Sequence, residues 1–277
     1  MRMLVTGALG MLGRDLVPLL SRDHEVTAVD LDVDVTDPAA VDACVDACRP
    51  EAVFHLAAWT DVDGAEAREV DALVVNGVGT ANVARAAERV GAALVVVSTD
   101  YVFDGTASPY AEDAAVEPIG AYGRTKLAGE EAALAEHPKG TRIARTAWLY
   151  GAHGPNFVDT MRRLGAERDA VSVVADQEGC PTWTRDLAPA LVALVDQPPG
   201  VYHTAGAGSV TWAAFAEAIF AEAGLACRVT PVSTAEFGRA APRPARSVLA
   251  VTKPGAPRLR HWREALVEYL STQKGFA

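Results

Sequence analysis

A phenol and an ammonium group lie four residues apart in the stretch Tyr122-Gly-Arg-Thr-Lys126. The stretch has helical character, and on a helix this spacing puts both groups on one face, one turn apart. A tyrosine with an ordinary pKa of about 10 is a poor acid at neutral pH. A nearby cation should lower that pKa, so Tyr122 could donate a proton with Lys126 as its partner.

A hydroxyl group follows the continuous apolar run 93–97 at Thr99. Such a run is typical of a strand buried on both faces of a parallel sheet. Ligands bind at the carboxyl ends of such strands, so Thr99 could donate a hydrogen bond to a substrate carbonyl beside the Tyr122 hydroxyl. Together, Tyr122, Lys126 and Thr99 could supply a proton and a hydrogen bond to a substrate carbonyl, and we interpret them as the catalytic residues.

Three glycines, Gly7, Gly10 and Gly13, follow the first predicted strand and open a helix. Gly7 would allow a tight turn, Gly10 would let the backbone approach a pyrophosphate, and Gly13 would let the helix pack closely on the sheet. The helix N-terminus would supply N–H groups and a partial positive charge to the anion. The motif therefore predicts a dinucleotide site.

Acidic residues follow the second predicted strand. Asp30 is placed to accept hydrogen bonds from the adenosine ribose hydroxyls, and its charge would repel a 2′-phosphate, which favours NADH. Asp34 and Val35 are plausible adenine contacts. A simple turn or helix-capping role for Asp30 stays open, and Asp37 before Pro38 is typical of a helix N-cap.

These residues need elements that bring them together, and the sequence alternates strands with helices. Predicted strands cover 3–6, 25–29, 52–56, 93–97 and 142–150, and predicted helices end at 20 or cover 38–48, 71–90 and 122–136. This alternation predicts an α/β fold with a doubly wound parallel sheet of Rossmann type. Further helices are expected over 157–167, 185–195 and 212–223.

Two portions are expected along the chain. Residues 1–151 should form the dinucleotide-binding domain, with later strand and helix returns around 171–205, and residues 152–277 a smaller, mainly substrate-binding portion. Between 228 and 263 there are eight Lys or Arg residues and one acid, Glu236, whereas the whole chain has a net charge of −11. This basic segment predicts an anion-binding role, although a solvated basic face stays an alternative.

Composition excludes several classes of protein. The acidic charge argues against nucleic acid as a partner. No apolar run approaches the roughly 18 residues of a membrane span, so no membrane partner is expected. The cysteines Cys44, Cys48, Cys180 and Cys227 lack the spacing of a metal site, and we expect reduced thiols in a cytoplasmic protein.

Seven blocks of this sequence resemble one family, the dTDP-4-dehydrorhamnose reductases of the extended short-chain dehydrogenase/reductase superfamily. The resemblance extends over nearly the whole chain, and the blocks at 98–105 and 176–182 are more specific than the glycine loop. The blocks are 7–16 (GALGMLGRDL), 57–63 (AAWTDVD), 98–105 (STDYVFDG), 122–130 (YGRTKLAGE), 145–150 (RTAWLY), 176–182 (DQEGCPT) and 243–249 (RPARSVL).

The resemblance implies reduction of the C4 ketone of dTDP-4-dehydro-L-rhamnose by NADPH or NADH. It assigns the pyrophosphate to Gly10, Met11 and Leu12, the adenosine to Asp30, Asp34 and Val35, the floor beneath the cofactor to Ala58, Trp59 and Thr60, and the nicotinamide ribose to Tyr122 and Lys126.

On the substrate side, the resemblance implies that Thr99, Asp100 and Trp148 contact the sugar. A core position stays an alternative for Trp148. Arg243 is the first candidate for the substrate diphosphate, and Arg239 and Arg246 are further candidates. In the sugar-nucleotide dehydratases that resemble the N-terminal half, a glutamate base follows Thr-Asp. Here Tyr101 follows, so elimination lacks its base and carbonyl reduction remains.

Departures from the family pattern and rival functions qualify this interpretation. Arg246 replaces an asparagine, and Arg185 has the wrong charge to join Asp15 in an Mg²⁺-bridged dimer. We therefore expect no metal, and a monomer or a homodimer without a metal bridge. The rival functions are reduction of another dTDP-4-keto-6-deoxyhexose, as in a streptose-type pathway, and a non-catalytic NADP-binding regulatory subunit. His55, Trp183 and Trp212 are expected to be packing residues.

Overall fold

The computed structural model describes residues 1–273, and its strands are separated by helices over most of the chain. The strands are β1 (Arg2–Thr6), β2 (Glu25–Val29), β3 (Ala52–His55), β4 (Ala93–Thr99), β5 (Thr141–Thr146), β6 (Leu149–Tyr150), β7 (Ala170–Val174), β8 (Glu178–Gly179), β9 (Thr182–Trp183), β10 (Gly200–His203), β11 (Val210–Thr211) and β12 (Arg228–Val232).

The helices begin and end at residues that the local sequence helps to explain. For example, Asp37 accepts a hydrogen bond from the Ala39 N–H, and Pro38 occupies the first helical position of α2, which confirms the predicted N-cap. The helices are α1 (Gly13–Leu20), α2 (Pro38–Cys48), α3 (Val62–Ala67), α4 (Glu69–Leu73), α5 (Thr80–Val90), α6 (Ala121–Glu136), α7 (Phe157–Glu167), α8 (Thr184–Leu194), α9 (Trp212–Ala223), α10 (Thr234–Phe237) and α11 (Trp262–Thr272).

A six-stranded parallel sheet in the order β2-β1-β3-β4-β5-β10 forms the centre of the molecule. Apolar side chains lie on both faces: Phe54 and Val95 pack with α1 and α8, whereas Val53 and Leu94 pack with α2 and α5. The predicted α/β doubly wound fold is therefore confirmed. The winding direction changes between β1 and β3, and a crevice at such a switch point is where these sheets bind ligands.

The C-terminal part of the chain contributes to two regions. Strand β10 pairs with β5 in the central sheet, and Leu187 of α8 belongs to the core that contains Leu16 of α1. A separate apolar core contains Tyr150, Phe215 and Tyr269 and lies beside the parallel pair of β7 and β12. The central sheet is thus completed by residues from beyond position 151.

Two predicted elements differ from the structure. The helix predicted over 71–90 contains a π-helical segment, Val74–Gly79, between α4 and α5. The strand predicted over 142–150 is interrupted after Thr146, because Trp148 adopts a left-handed φ of 48° that extended backbone does not allow. Both interruptions occur beside the crevice, where irregular backbone positions side chains.

Candidate active site

The glycine loop after β1 forms a close-packed turn at the switch point. Gly7 has a φ of +67°, and a Cβ there would lie 2.6 Å from the Ala57 nitrogen. A Cβ on Gly13 would lie 2.5 Å from the Ala8 carbonyl oxygen, so Gly13 is required by the loop itself rather than by the sheet expected from the sequence. Within residues 1–273, the N–H groups of Met11, Leu12 and Gly13 have no hydrogen-bond acceptor. An anion could therefore bind there.

Asp30 joins this loop to the end of β2. Its carboxylate accepts hydrogen bonds from the backbone N–H of Leu9 at 2.8 Å and of Leu31 at 3.1 Å. Asp34 is exposed, and hydrogen bonds from Thr36 hold the pKa of its carboxyl below the usual range. Val35 is buried in the core beneath the sheet. The cofactor roles of Asp30, Asp34 and Val35 stay predictions.

The segment that contains Ala58, Trp59 and Thr60 follows β3 and is held by a residue that the sequence analysis missed. The Asn76 amide accepts from the Trp59 N–H at 2.9 Å and donates to the Trp59 carbonyl at 3.2 Å. It also donates to the Thr125 hydroxyl at 3.0 Å, one residue before Lys126. Asn76 therefore links the predicted cofactor floor to α6, and the π-helical segment places it there.

A buried histidine supports the same segment from below. Because the Thr80 hydroxyl donates to the Asn76 carbonyl at 2.6 Å, it must accept from His55 Nε2, 3.1 Å away. His55 Nδ1 then accepts from the Thr6 hydroxyl at 2.8 Å. Burial, and secondly the charge of Lys126, lowers the pKa of His55 to about 3, so the ring is neutral. The prediction of a core position for His55 is confirmed.

The structure brings Thr99, Tyr122 and Lys126 together at the carboxyl end of β4. Burial and, secondly, the charge of Asp100 raise the pKa of Tyr122 to about 12, against the effect of hydrogen bonding with Thr99. Lys126 Nζ donates to the Val97 carbonyl at 2.7 Å. Burial lowers the pKa of Lys126 to about 8, against the effect of Glu130.

The expectation that Lys126, together with the positive nicotinamide of the oxidised cofactor, lowers the pKa of Tyr122 stays a prediction. Burial and Asp100 control the Tyr122 pKa, while the Lys126 ammonium is directed to the Val97 carbonyl. A pKa of about 12 keeps the phenol protonated at neutral pH, as a proton donor requires.

Asp100 is buried beneath these hydroxyl groups. Its carboxylate accepts from Thr99 Oγ1 at 3.2 Å and from Ser247 Oγ at 2.5 Å. Burial raises the pKa of Asp100 to about 7, although both hydrogen bonds oppose that shift. Ser247 was not predicted as a site residue; the only sequence signal was its place in the block at 243–249.

Two tryptophans form one wall near this site. Trp148 stacks on Trp212 with ring centroids 3.5 Å apart and planes 6° from parallel. A Cβ on Gly179 would lie 2.5 Å from the Trp148 ring, so the glycine makes room for it. Both indoles are partly buried, whereas Trp183 is buried in the core, as predicted. The substrate role of Trp148 stays a prediction.

The three candidate arginines for the diphosphate lie in different surroundings. Arg243 and Arg239 both contact Asp63, which the sequence analysis did not identify as a site residue. Arg246 pairs with Glu178 at 3.0 Å. Only Arg243 acts on the Tyr101 phenol, whose pKa it lowers against the larger effect of burial. Because the Tyr101 and Tyr122 rings lie 5.8 Å apart, Arg243 is near the predicted proton donor.

Residues 1–273 also bear on membrane and metal binding. No helix in that range combines the length and apolar character of a membrane span. No group of three or more His, Cys, Asp or Glu side chains in the same range is arranged to hold a metal ion. Asp15, which fits one position of the Mg²⁺ bridge, accepts a hydrogen bond from the Thr184 hydroxyl at 2.6 Å.

Comparisons with known proteins agree on one family. The family model described as RmlD substrate binding domain matches residues 1–274. A dTDP-4-dehydrorhamnose reductase from Streptomyces griseus is 48% identical over 280 residues, covering 96% of this chain and 92% of the relative. A dTDP-4-keto-6-deoxy-D-glucose reductase from Streptomyces niveus is also 48% identical, over 275 residues and 96% of both chains.

A solved structure agrees with these sequences over the whole fold. The dTDP-4-dehydrorhamnose reductase from Bacillus anthracis, in complex with NADP, has a TM-score of 0.95 at 41% identity. The match covers 98% of this chain and 99% of that one. These matches extend over the sheet, the glycine loop and the cluster of Thr99, Tyr122 and Lys126. The chain therefore belongs to the dTDP-4-dehydrorhamnose reductase family.

Proposed function

We propose that this protein reduces the C4 ketone of dTDP-4-dehydro-L-rhamnose to dTDP-L-rhamnose with NADPH or NADH. The observation that carries the proposal is the cluster of Thr99, Tyr122 and Lys126 at the carboxyl end of β4, beside the switch point of the sheet. A protonated phenol and a second hydroxyl group there can both serve one carbonyl oxygen.

The residues around the glycine loop fit a dinucleotide. The open N–H groups of Met11, Leu12 and Gly13 would receive the pyrophosphate, and Gly7 and Gly13 keep the loop clear of side-chain atoms. Asp30 would accept hydrogen bonds from the adenosine ribose hydroxyls. Lys126 and Tyr122 would hold the nicotinamide ribose. When bound, the reduced cofactor supplies the hydride that the carbonyl carbon accepts.

The side chains of this protein supply the proton and orient the carbonyl. When the substrate binds, the Thr99 hydroxyl would turn its hydrogen from Asp100 to the carbonyl oxygen, and Tyr122 would transfer its proton to that oxygen as negative charge develops. Tyr101 occupies the position after Asp100, and burial raises the pKa of its phenol. A phenol held protonated cannot remove a carbon-bound proton, so reduction is favoured over elimination.

A second candidate is the same reduction on another dTDP-4-keto-6-deoxyhexose. The observation that favours it is the relative from Streptomyces niveus, a dTDP-4-keto-6-deoxy-D-glucose reductase with the same 48% identity as the relative from Streptomyces griseus. Both substrates present a thymidine diphosphate and a C4 ketone, so the cluster described above would serve either.

The deciding experiment supplies the purified protein with each dTDP-4-keto sugar and follows the oxidation of NADPH and of NADH. NMR of the product identifies the sugar and its configuration at C4. Rapid reduction of dTDP-4-dehydro-L-rhamnose to dTDP-L-rhamnose supports the proposal, and turnover of only another keto sugar supports the second candidate. Binding of NADP without turnover of either would mean a regulatory subunit. The cytoplasmic location and the oligomeric state stay predictions.

The proton-donor assignment is tested by Tyr122→Phe, which removes one hydroxyl group and keeps the ring. We expect kcat/KM to fall roughly 10²- to 10⁴-fold, the usual contribution of a positioned general acid. Cofactor binding, measured by fluorescence of the reduced nicotinamide, checks that the fold is intact. Reduction at the parent rate would contradict the assignment.

A further inference from the structure

Asp63 joins the start of α3 to the segment before Pro242. Its Oδ1 accepts from Arg243 Nη1 at 3.1 Å and from the Ala241 N–H at 3.0 Å, while its Oδ2 accepts from Arg243 Nη2 at 3.1 Å. Arg239 Nη1 lies 3.3 Å from Oδ2. The hydrogen bond with Arg243 is the main reason that the pKa of Asp63 lies below the usual range.

Three N–H groups of the Arg243 guanidinium donate hydrogen bonds to Asp63 and Ala241. Nη1 uses both hydrogens, on Asp63 and on the Ala241 carbonyl at 2.9 Å, and Nη2 uses one on Asp63. Nε and the second Nη2 hydrogen contact neither Asp63 nor Ala241, and the Tyr101 phenol, whose pKa a hydrogen bond with Arg243 lowers, lies beside this guanidinium. Nε and Nη2 form the lateral edge of the guanidinium, a two-donor fork that fits two oxygens of a phosphate.

The helix that carries Asp63 is fixed to both parts of the catalytic site. It begins directly after the predicted cofactor floor, where Asp61 caps it by accepting from the Gly64 N–H at 3.0 Å. Near its end, the Glu66 carboxylate accepts from the Ala121 N–H at 2.6 Å, at the first residue of α6. Asp63 therefore sets the direction of Arg243 relative to the helix that carries Tyr122.

We propose that Asp63 is a positioning residue for the sugar nucleotide. By binding the end of the Arg243 guanidinium, it turns the lateral Nε and Nη2 edge toward a phosphate of the substrate diphosphate. Arg243 acts on the Tyr101 phenol, whose ring lies 5.8 Å from the Tyr122 ring, so a phosphate bound by Arg243 would lie near the proposed proton donor. This inference rests on the proposed function, since it assumes a diphosphate-linked sugar as substrate.

The test measures binding of dTDP by isothermal titration calorimetry to the parent protein and to Asp63→Asn. Asparagine keeps the shape of the side chain but loses the charge and one acceptor. We expect the dTDP dissociation constant to rise about tenfold, in line with weakening of one charge-assisted contact. Thymidine lacks the phosphates, so its affinity should be the same in both proteins. In the reductase assay the effect should appear in KM for the sugar nucleotide more than in kcat.

A matched control is Glu69→Gln. Glu69 holds Arg124 by two hydrogen bonds, at 2.7 and 2.8 Å, between α4 and α6, so the control removes a similar ion pair that does not touch Arg243. It should leave the dTDP affinity unchanged. In the Arg243→Gln background, Asp63→Asn should have no additional effect on dTDP, whereas a general structural role would weaken both backgrounds alike.

The outcomes separate this inference from the proposed function. If Asp63→Asn binds dTDP as tightly as the parent protein, or weakens thymidine equally, the inference is overturned. If Asp63→Asn does not fold, Arg243→Lys carries the test: it keeps the charge without the fork, and parental dTDP affinity in that variant overturns the inference too. If the parent protein binds dTDP but reduces neither keto sugar, the proposed function fails while the binding comparison still decides the role of Asp63.

Discussion

Asp100 illustrates how one buried carboxylate acts on two hydroxyl groups. It accepts hydrogen bonds from Thr99 and Ser247, and its charge raises the pKa of Tyr122. Protonation of Asp100 would remove that charge and so make Tyr122 a stronger acid. The protonation state of Asp100 thus affects the pKa of Tyr122, and this effect depends on three-dimensional neighbours rather than on the Tyr-x-x-x-Lys spacing.

The raised pKa of Asp100 predicts a pH dependence of stability. Because burial raises this pKa from 3.8 to about 7, the folded protein holds a proton that the unfolded chain has released between those values. The stabilising contribution of the protonated carboxyl is therefore complete below the lower value and is lost as pH rises to about 7. Asp100→Asn should remove this loss.

Urea denaturation of both proteins across that range measures the effect. The free energy of unfolding of Asp100→Asn, relative to that of the parent protein, should increase with pH. A difference that is constant with pH would show that Asp100 has the same pKa in the folded and unfolded states.

Among the elements, the glycine loop depends on a close approach that one substitution can isolate. Gly7 and Gly91 have nearly the same φ, +67° and +68°. A Cβ on Gly7 would lie 2.6 Å from backbone, whereas none of the atoms around Gly91 lies within 4 Å of its added Cβ. Gly91→Ala should therefore lower the free energy of unfolding only by the strain of a left-handed backbone at an alanine, about 1–2 kcal/mol.

Gly7→Ala should lower stability distinctly more than Gly91→Ala and should also weaken NADPH and NADH binding, because the backbone of Leu56 and Ala57, after β3, must move away from the loop. Thermal denaturation and fluorescence titration of the cofactor compare the two variants. Equal stability losses would contradict the close packing described for Gly7.

A second element-scale prediction concerns the buried ion pair between α6 and β5. Glu130 accepts from Arg145 Nη2 at 2.6 Å, and both side chains are buried. Glu130→Gln would leave the guanidinium charge uncompensated, at a cost of roughly 3–5 kcal/mol. Glu136→Gln, on the same helix, breaks the exposed pair with Arg85 and should cost about 1 kcal/mol or less. Chemical denaturation checks this ranking, and similar losses for both variants would contradict it.

The elements also show what sequence patterns can predict. Asp37 before Pro38 predicted the start of α2, because a helix N-cap depends on adjacent residues only. The π-helical segment could not be predicted within 71–90, because its cause is tertiary: Asn76 turns toward Trp59 and Thr125. Likewise, the left-handed Trp148 is stabilised by stacking on Trp212, 64 positions along the chain.

For the whole molecule, the alternation of strands and helices was sufficient to predict the doubly wound sheet. It could not predict which side chains would meet across the crevice. Asp63 and Arg243 are 180 positions apart, and Asp100 and Ser247 are 147 positions apart. Family resemblance marked the blocks that contain these residues, but only the fold showed that they pair.

The bond between Ser247 and Asp100 has a consequence for protein engineering. Exchanging the chain beyond position 151 with that of a relative of different sugar preference would take the residue that faces this carboxylate from the other parent. A chimera joined near position 151 would then inherit one half of the contact from each parent. Such exchanges should transfer residues 241–249 together with Asp63 and Asp100. Sugar preference could then change without a change in the pKa of Tyr122, the proposed proton donor.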